Sequence, residues 1–109
     1  MSARDAPPAE VAAGLEAGEL VALDVRTPEE WTAGHIGGAT WIPMHELGAR
    51  LDELPAGGRL AIVCRSGARS GYVADRLASV GYDAVNLGGG MEAWVAAGLP
   101  IEPEDGLVL

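Results

Sequence analysis

The chain has 109 residues, 49% of them hydrophobic, which suits one domain with a buried core and is too short for two in tandem. Its net charge of −9 argues against nucleic acid or an anionic membrane surface as a partner. No apolar run reaches the ~18 residues of a membrane span, and we expect no secretory signal at the start. The single cysteine cannot form an internal disulfide, so we expect a cytoplasmic protein.

The amino-terminal third predicts a helix followed by a buried strand. Residues 1–8 are polar and include two prolines, which indicates a mobile segment. Pro8 suits the first turn of a helix that runs to about Gly18. The apolar run 20–25 is typical of a strand buried in a parallel sheet. Asp24 and Arg26 end this run on the same side of the strand, and the simplest interpretation is a surface ion pair.

The next segment begins with a helix-start signature. Thr27 is placed as the N-cap, followed by proline, and Glu30 is placed to complete a capping box. We expect Gly34 to end this helix and a strand to follow at 39–42. Residues 43–54 predict a third helix, which ends at the Pro-Ala-Gly-Gly turn 55–58.

Cys64 follows the apolar run 60–63 and precedes a loop and a helix that starts between Ser66 and Ser70. The carboxyl end of such a strand, facing a helix amino terminus, is where open α/β sheets bind ligands. Converging backbone N–H groups and the guanidinium groups of Arg65 and Arg69 favour the thiolate over the thiol. Cys64 is therefore predicted to be a low-pKa nucleophile that needs no separate base.

The carboxyl-terminal third predicts a strand at 84–87, three glycines, and a helix that opens at Met91. The glycines lack the spacing of a nucleotide-binding loop, so we expect no nucleotide. Two histidines far apart and one cysteine show no zinc-ligand spacing, so we predict neither a metal nor another cofactor. The tail, 102–109, mixes acidic and apolar residues, and its sequence is compatible with either packing or fraying.

The sequence resembles the rhodanese (sulfurtransferase) family in three separated blocks, which are LDVRTPEEWTAGHIGGATWIP, CRSGARS and NLGGGMEAWVAAGLPI. The resemblance implies a thiosulfate sulfurtransferase-like enzyme in which Cys64 carries the sulfur as a persulfide. It implies that the small anionic donor is held by Arg65, Ser66, Gly67, Ala68, Arg69 and Ser70. For either arginine the alternative is that it braces the loop by pairing with a carboxylate such as Asp24. It gives Asp24 and Arg26 supporting roles next to that loop, and it implies that His35 is architectural and that the glycine turn lies beside the loop and leaves space for substrate.

The resemblance also implies a three-layer α/β/α domain spanning residues 1–109, with a mostly parallel sheet of four or five strands. Short strands that alternate with helical segments predict the same class independently. Rhodaneses usually open with an edge strand, which we expect to be missing or reduced here because the residues before Pro8 offer no apolar pair.

Three functions remain open. The first is sulfur transfer from a donor such as thiosulfate to a thiol or cyanide, with a protein as an alternative donor or acceptor. The second is a persulfide carrier or interaction module that depends on a partner. The third is a phosphatase- or arsenate-reductase-like enzyme. The related dual-specificity phosphatases have five residues between cysteine and arginine, whereas four separate Cys64 from Arg69, so this third function is disfavoured.

Overall fold

The computed structural model describes residues 2–55 and 58–109, and within them a five-stranded parallel sheet forms the centre of the molecule. The strands are β1 (Arg4–Ala6), β2 (Leu20–Asp24), β3 (Thr40–Trp41), β4 (Arg59–Val63) and β5 (Ala84–Leu87). They lie in the order β1-β5-β4-β2-β3, and every neighbouring pair is parallel. This confirms the predicted α/β class and sheet. Met1 and the predicted turn residues Ala56 and Gly57 lie outside the described residues.

Helices cover both faces of the sheet. They are α1 (Pro8–Glu16), α2 (Pro28–Ala33), α3 (Ala68–Ser79) and α4 (Gly90–Ala96). Successive side chains of a strand point to opposite faces. In β4, Leu60 and Ile62 therefore share a core with α3, while Ala61 and Val63 share the other core with α1 and α4. The chain thus forms three layers, as expected.

The capping box of α2 forms as predicted. The backbone N–H of Glu30 donates to Thr27 Oγ1 at 3.3 Å, and the backbone N–H of Thr27 donates to Glu30 Oε1 at 3.1 Å. Gly34 ends the helix. The box fixes the position of the Glu30 carboxylate, which has a second role described below.

The edge strand β1 is present, although reduced to three residues. Arg4 pairs with Val85 and Ala6 with Leu87 in β5, and Ala6 is fully buried. The expectation of a mobile segment over residues 1–8 is therefore wrong for Arg4–Ala6. An edge strand is held mainly by backbone hydrogen bonds to one neighbour, so its side chains need not show an apolar pattern.

The predicted helix over residues 43–54 is wrong. The chain instead forms two 3₁₀ turns, Met44–Ala49 and Leu51–Glu53. Arg50 separates them with a non-helical backbone (φ −125°, ψ 22°). Apolar residues three or four apart fit a 3₁₀ turn as well as the first turns of an α-helix, so the spacing could not distinguish the two.

The carboxyl-terminal tail packs back onto the domain. The backbone N–H of His35 donates to Glu102 O at 2.9 Å, and that of Glu102 donates to His35 O at 2.7 Å. Leu107 N–H donates to Ala33 O at 2.8 Å. These bonds settle the alternative that the sequence left open, in favour of packing.

Candidate active site

Cys64 lies directly after β4, at the start of a tight loop that leads into α3. Gly67 is the N-cap residue of α3 and has a left-handed backbone (φ +99°). A Cβ at this position would approach Gly89 N to 3.2 Å. Both the backbone angle and the close approach favour glycine here. The loop therefore turns back on itself and brings its N–H groups toward the cysteine sulfur.

The Cys64 sulfur is buried and surrounded by hydrogen-bond donors. Only 1% of the residue is exposed. The Gly67 N–H and the Ser70 hydroxyl each lie 3.1 Å from Sγ. Burial raises the pKa of the Cys64 thiol, but hydrogen bonds from Ser70, Gly67 and Ser66 outweigh it, so the pKa lies below its ordinary value. The predicted low-pKa thiol is thus supported by geometry.

Arg69 is bound to a carboxylate on α2. Its Nη1 and Nη2 donate to the two oxygens of Glu30 at 2.9 and 2.8 Å. Hydrogen bonding to Arg69 lowers the pKa of Glu30 to about 2, against burial that raises it. The same pair raises the pKa of Arg69. Asp24, the carboxylate suggested as a possible partner, is not the one that binds Arg69.

Arg65 and Ala68, also predicted to contact the donor, lie at the outer side of the loop and at the first turn of α3. Arg65 Nε lies 3.4 Å from a carboxylate oxygen of Glu92, and about half of the Arg65 side chain is exposed. Ala68 begins α3. The structure therefore places Ser66, Gly67 and Ser70 around the sulfur and leaves Arg65 in a weaker surface pair.

Asp24 and Arg26 form a buried ion pair, so the surface interpretation is wrong. Arg26 Nη2 donates to Asp24 Oδ2 at 2.7 Å, and the side chains are 0% and 1% exposed. Arg26 also donates to Gly34 O at 2.8 Å, and Trp41 Nε1 donates to Arg26 O at 2.9 Å. The pair joins the end of β2 to the end of α2, which carries Glu30.

His35 is held against helix α2. Its Nδ1 lies 2.7 Å from Trp31 O, and its ring stacks on the Trp31 indole with centroids 3.7 Å apart. Trp31 in turn stacks on Trp41 at 5.6 Å. The His35 ring is thus fixed by a hydrogen bond to α2 and is one end of a stack of three rings.

Asn86 is a site residue that the sequence analysis missed. Its side chain is buried next to Ser70, with Oδ1 2.6 Å from Ser70 Oγ. Its Nδ2 donates to Asp5 Oδ1 at 2.9 Å and to Gly67 O at 3.0 Å. An asparagine within the otherwise apolar strand Ala84–Leu87 was the available signal, because a buried amide needs partners.

The glycine turn lies beside the loop that follows Cys64, but it does not leave the expected space for substrate. Met91 N–H donates to Cys64 O at 2.8 Å, and Glu92 N–H donates to Arg65 O at 3.0 Å. A Cβ on Gly90 would lie 2.5 Å from both of those carbonyl oxygens. Backbone fills the space at Gly90, so its missing side chain does not leave room for substrate.

Two further findings concern residues 2–55 and 58–109 only. No helix there is long and apolar enough to cross a membrane. No group of three or more His, Cys, Asp or Glu side chains there is arranged to hold a metal ion.

Comparison with known proteins decides the family. The model of the rhodanese-like domain matches residues 7–97. The chain belongs to the rhodanese-like family. A sulfurtransferase of Allochromatium vinosum is 42% identical over 89 residues, which cover 81% of this chain and 83% of that protein. An HTH-type transcriptional regulator of Mycobacterium tuberculosis is also 42% identical, over 86% of this chain but only 42% of the regulator.

Solved structures agree with this assignment. The crystal structure of a rhodanese-related protein from Thermoplasma volcanium has a TM-score of 0.84 and 28% identity, and the match covers 90% of this chain and 96% of that one. The rhodanese-like fold and a place among sulfurtransferase relatives are therefore established for this chain.

Proposed function

We propose that this rhodanese-like protein transfers a sulfane sulfur through a persulfide on Cys64. The observation that carries the proposal is the environment of Sγ, which receives hydrogen bonds from Gly67 and Ser70 and has a lowered thiol pKa. These features support a thiolate nucleophile at Cys64. The sulfurtransferase from Allochromatium vinosum supports the same reaction class.

The first half-reaction loads the cysteine. The Cys64 thiolate attacks the outer sulfur of thiosulfate, an S–S bond forms, and the original S–S bond breaks with its electron pair leaving on sulfite. The loop N–H groups hold the negative outer sulfur of the persulfide. In the second half-reaction a thiol or cyanide attacks that sulfur, and the electron pair of the broken bond returns to Sγ.

Arg69 is proposed to bind the donor's oxygens. Its bidentate bond with Glu30 uses two of the five guanidinium N–H donors, so the others remain for an anion. Glu30 thus holds the Arg69 guanidinium in place and leaves its other N–H donors available to the anion. Arg65, on the same loop, is proposed to add positive charge at the entrance.

Intact-protein mass spectrometry after incubation with thiosulfate tests the proposal directly. The native protein is expected to gain the mass of one sulfur atom and to lose it to cyanide with release of thiocyanate. Cys64→Ser is the matched control, because it removes the only thiol of the chain while keeping its size. Loading of the serine variant, or of neither protein with any sulfur donor, would contradict the proposal.

The same measurement separates the carrier from the enzyme. A carrier loads from a low-molecular-weight persulfide but does not turn over with thiosulfate and cyanide alone. Hydrolysis of an aryl phosphate, lost in Cys64→Ser, would indicate the phosphatase-like reaction instead.

A further inference from the structure

The Ser70 hydroxyl lies between two groups that both need its proton. Its Oγ is 3.1 Å from Cys64 Sγ and 2.6 Å from Asn86 Oδ1. A hydroxyl carries a single proton, so it donates to only one of them at a time. At 2.6 Å the two oxygens require a proton between them for an attractive contact.

The Asn86 amide is oriented from its other side. Its Nδ2 donates to Asp5 Oδ1 at 2.9 Å and to Gly67 O at 3.0 Å. Both partners are acceptors only, so the amide nitrogen must face them and the amide oxygen must face Ser70. Asp5 and Asn86 are paired in the β1–β5 register, which places their side chains on the same face.

The charge on the sulfur decides which way the hydroxyl turns. As a thiol, Cys64 can donate to Ser70 Oγ while Ser70 donates to Asn86. As a thiolate, Cys64 only accepts, and Ser70 must give up its bond to Asn86 in order to donate to Sγ. Asn86 therefore competes with the sulfur for one proton.

We propose that Asn86 and Asp5 are positioning residues that control how readily Ser70 donates to the Cys64 sulfur. The Asp5 carboxylate polarises the Asn86 amide and makes Oδ1 a better acceptor, because chained hydrogen bonds strengthen one another. An edge strand that makes no contact with Sγ thereby adjusts the reactivity of the thiol.

The consequence for turnover rests on the proposed sulfur transfer. In the persulfide the negative charge or the proton is on the outer sulfur, so Sγ is neutral. The Ser70 hydroxyl then donates its hydrogen bond to Asn86 Oδ1 again. When an acceptor thiolate RS⁻ attacks the protonated persulfide, RSSH forms and the electron pair of the broken S–S bond goes to Sγ. Ser70 then turns and donates to the new thiolate.

The other charged residues near the Cys64 sulfur are unchanged when Asp5 is substituted. Arg69 is bound to Glu30 and lies close enough to Cys64 and Asp24 to interact with their charges. Arg65, with Glu92, lies on the outer side of the loop. None of these is altered by a substitution at position 5.

The test is the pH dependence of Cys64 alkylation by iodoacetamide. Asp5 is exposed, so Asp5→Ala keeps the fold. Asp5→Ala removes the hydrogen bond to Asn86, so Ser70 should donate more readily to the Cys64 thiolate. The midpoint pH of alkylation is expected to fall, and alkylation below that midpoint is expected to become about threefold faster, the effect of one weak hydrogen bond. Asp5→Asn removes the charge but keeps an acceptor oxygen, and is expected to stay closer to the native profile. Arg4→Ala, next on the same strand, is the matched control and should leave the profile unchanged.

A double-variant comparison with Ser70→Ala completes the test. Without the hydroxyl, Asp5→Ala is expected to have no further effect. An equal effect of Asp5→Ala with and without Ser70, equal effects of Asp5→Ala and Asp5→Asn, or no effect at all would each overturn the proposal. Alkylation needs no sulfur donor, so failure here is distinguishable from failure of the proposed sulfur transfer.

Discussion

Glu30 connects the capping box of α2 to Arg69 in the first turn of α3, and Glu30→Gln tests what that connection contributes to stability. Glutamine can still complete the capping box, so the substitution removes mainly the charge that binds Arg69. Lowering the carboxyl pKa from its ordinary 4.5 to about 2 corresponds to about 3 kcal/mol. Because the Arg69 side chain is 38% exposed, solvent screening reduces the expected loss in free energy of unfolding to about 1–2 kcal/mol.

The pH dependence of this loss follows from the direction of the shift. The folded-state pKa of Glu30 is depressed, so its stabilisation is fully present above the unfolded pKa of about 4.5 and disappears as the pH falls toward about 2. Urea titrations at pH 7 and at intervals down to pH 2.5 measure it. The native protein and Glu30→Gln should differ at pH 7 and converge in acid.

The control is Glu29→Gln, an exposed carboxylate in the same first turn. Glu29→Gln makes the same change in net charge and should change the free energy of unfolding very little. If the two variants lose equal stability, or if the Glu30→Gln difference is the same at pH 7 and pH 2.5, the inferred coupling to Arg69 is refuted.

Three further substitutions test the packing around the Cys64 loop and the binding of substrate to it. Asp24→Asn leaves Arg26 charged and buried, and should cost about 3–5 kcal/mol in urea unfolding; a loss under 1 kcal/mol would show that the pair contributes little. Gly90→Ala places a Cβ 2.5 Å from two carbonyl oxygens at φ +61°, so a fall in thermal midpoint worth at least about 2 kcal/mol is expected, and an unchanged midpoint would contradict the packing. Arg69→Ala should raise the KM for thiosulfate about tenfold or more, whereas Arg76→Ala on the same helix should not; an unchanged KM for the first would remove Arg69 from substrate binding.

Local features of the fold were predictable from sequence. The apolar runs that became β2, β4 and β5 are typical of strands buried on both faces. The capping box of Thr27 and Glu30 depends on residues three apart, so its chemistry is visible in the sequence itself. The chemistry of the loop from Cys64 to Arg69 is visible in the same way, because its glycine, hydroxyl and guanidinium groups are close together in the sequence.

What the sequence did not show depends on contacts between distant segments. The Glu30–Arg69 pair joins residues 39 apart, and the Asn86–Asp5 bond joins residues 81 apart. No spacing rule identifies such partners, because they are brought together only by the order of strands in the sheet. The burial of Asp24 and Arg26 was missed for the same reason, because the residues that bury the end of β2 belong to other elements of the fold.

The order of strands also bears on how the protein is made. Among the strands of the described residues β1 is synthesised first, yet it lies at the edge of the sheet and pairs there with β5, the last of the five to be synthesised. While the chain emerges from the ribosome, Arg4–Ala6 therefore cannot form its pairing with β5 until most of the domain has been translated. The Asp5 carboxylate can bind Asn86 only once β1 pairs with β5. A nascent chain can therefore contain Cys64 and its loop well before the surroundings of the sulfur are complete.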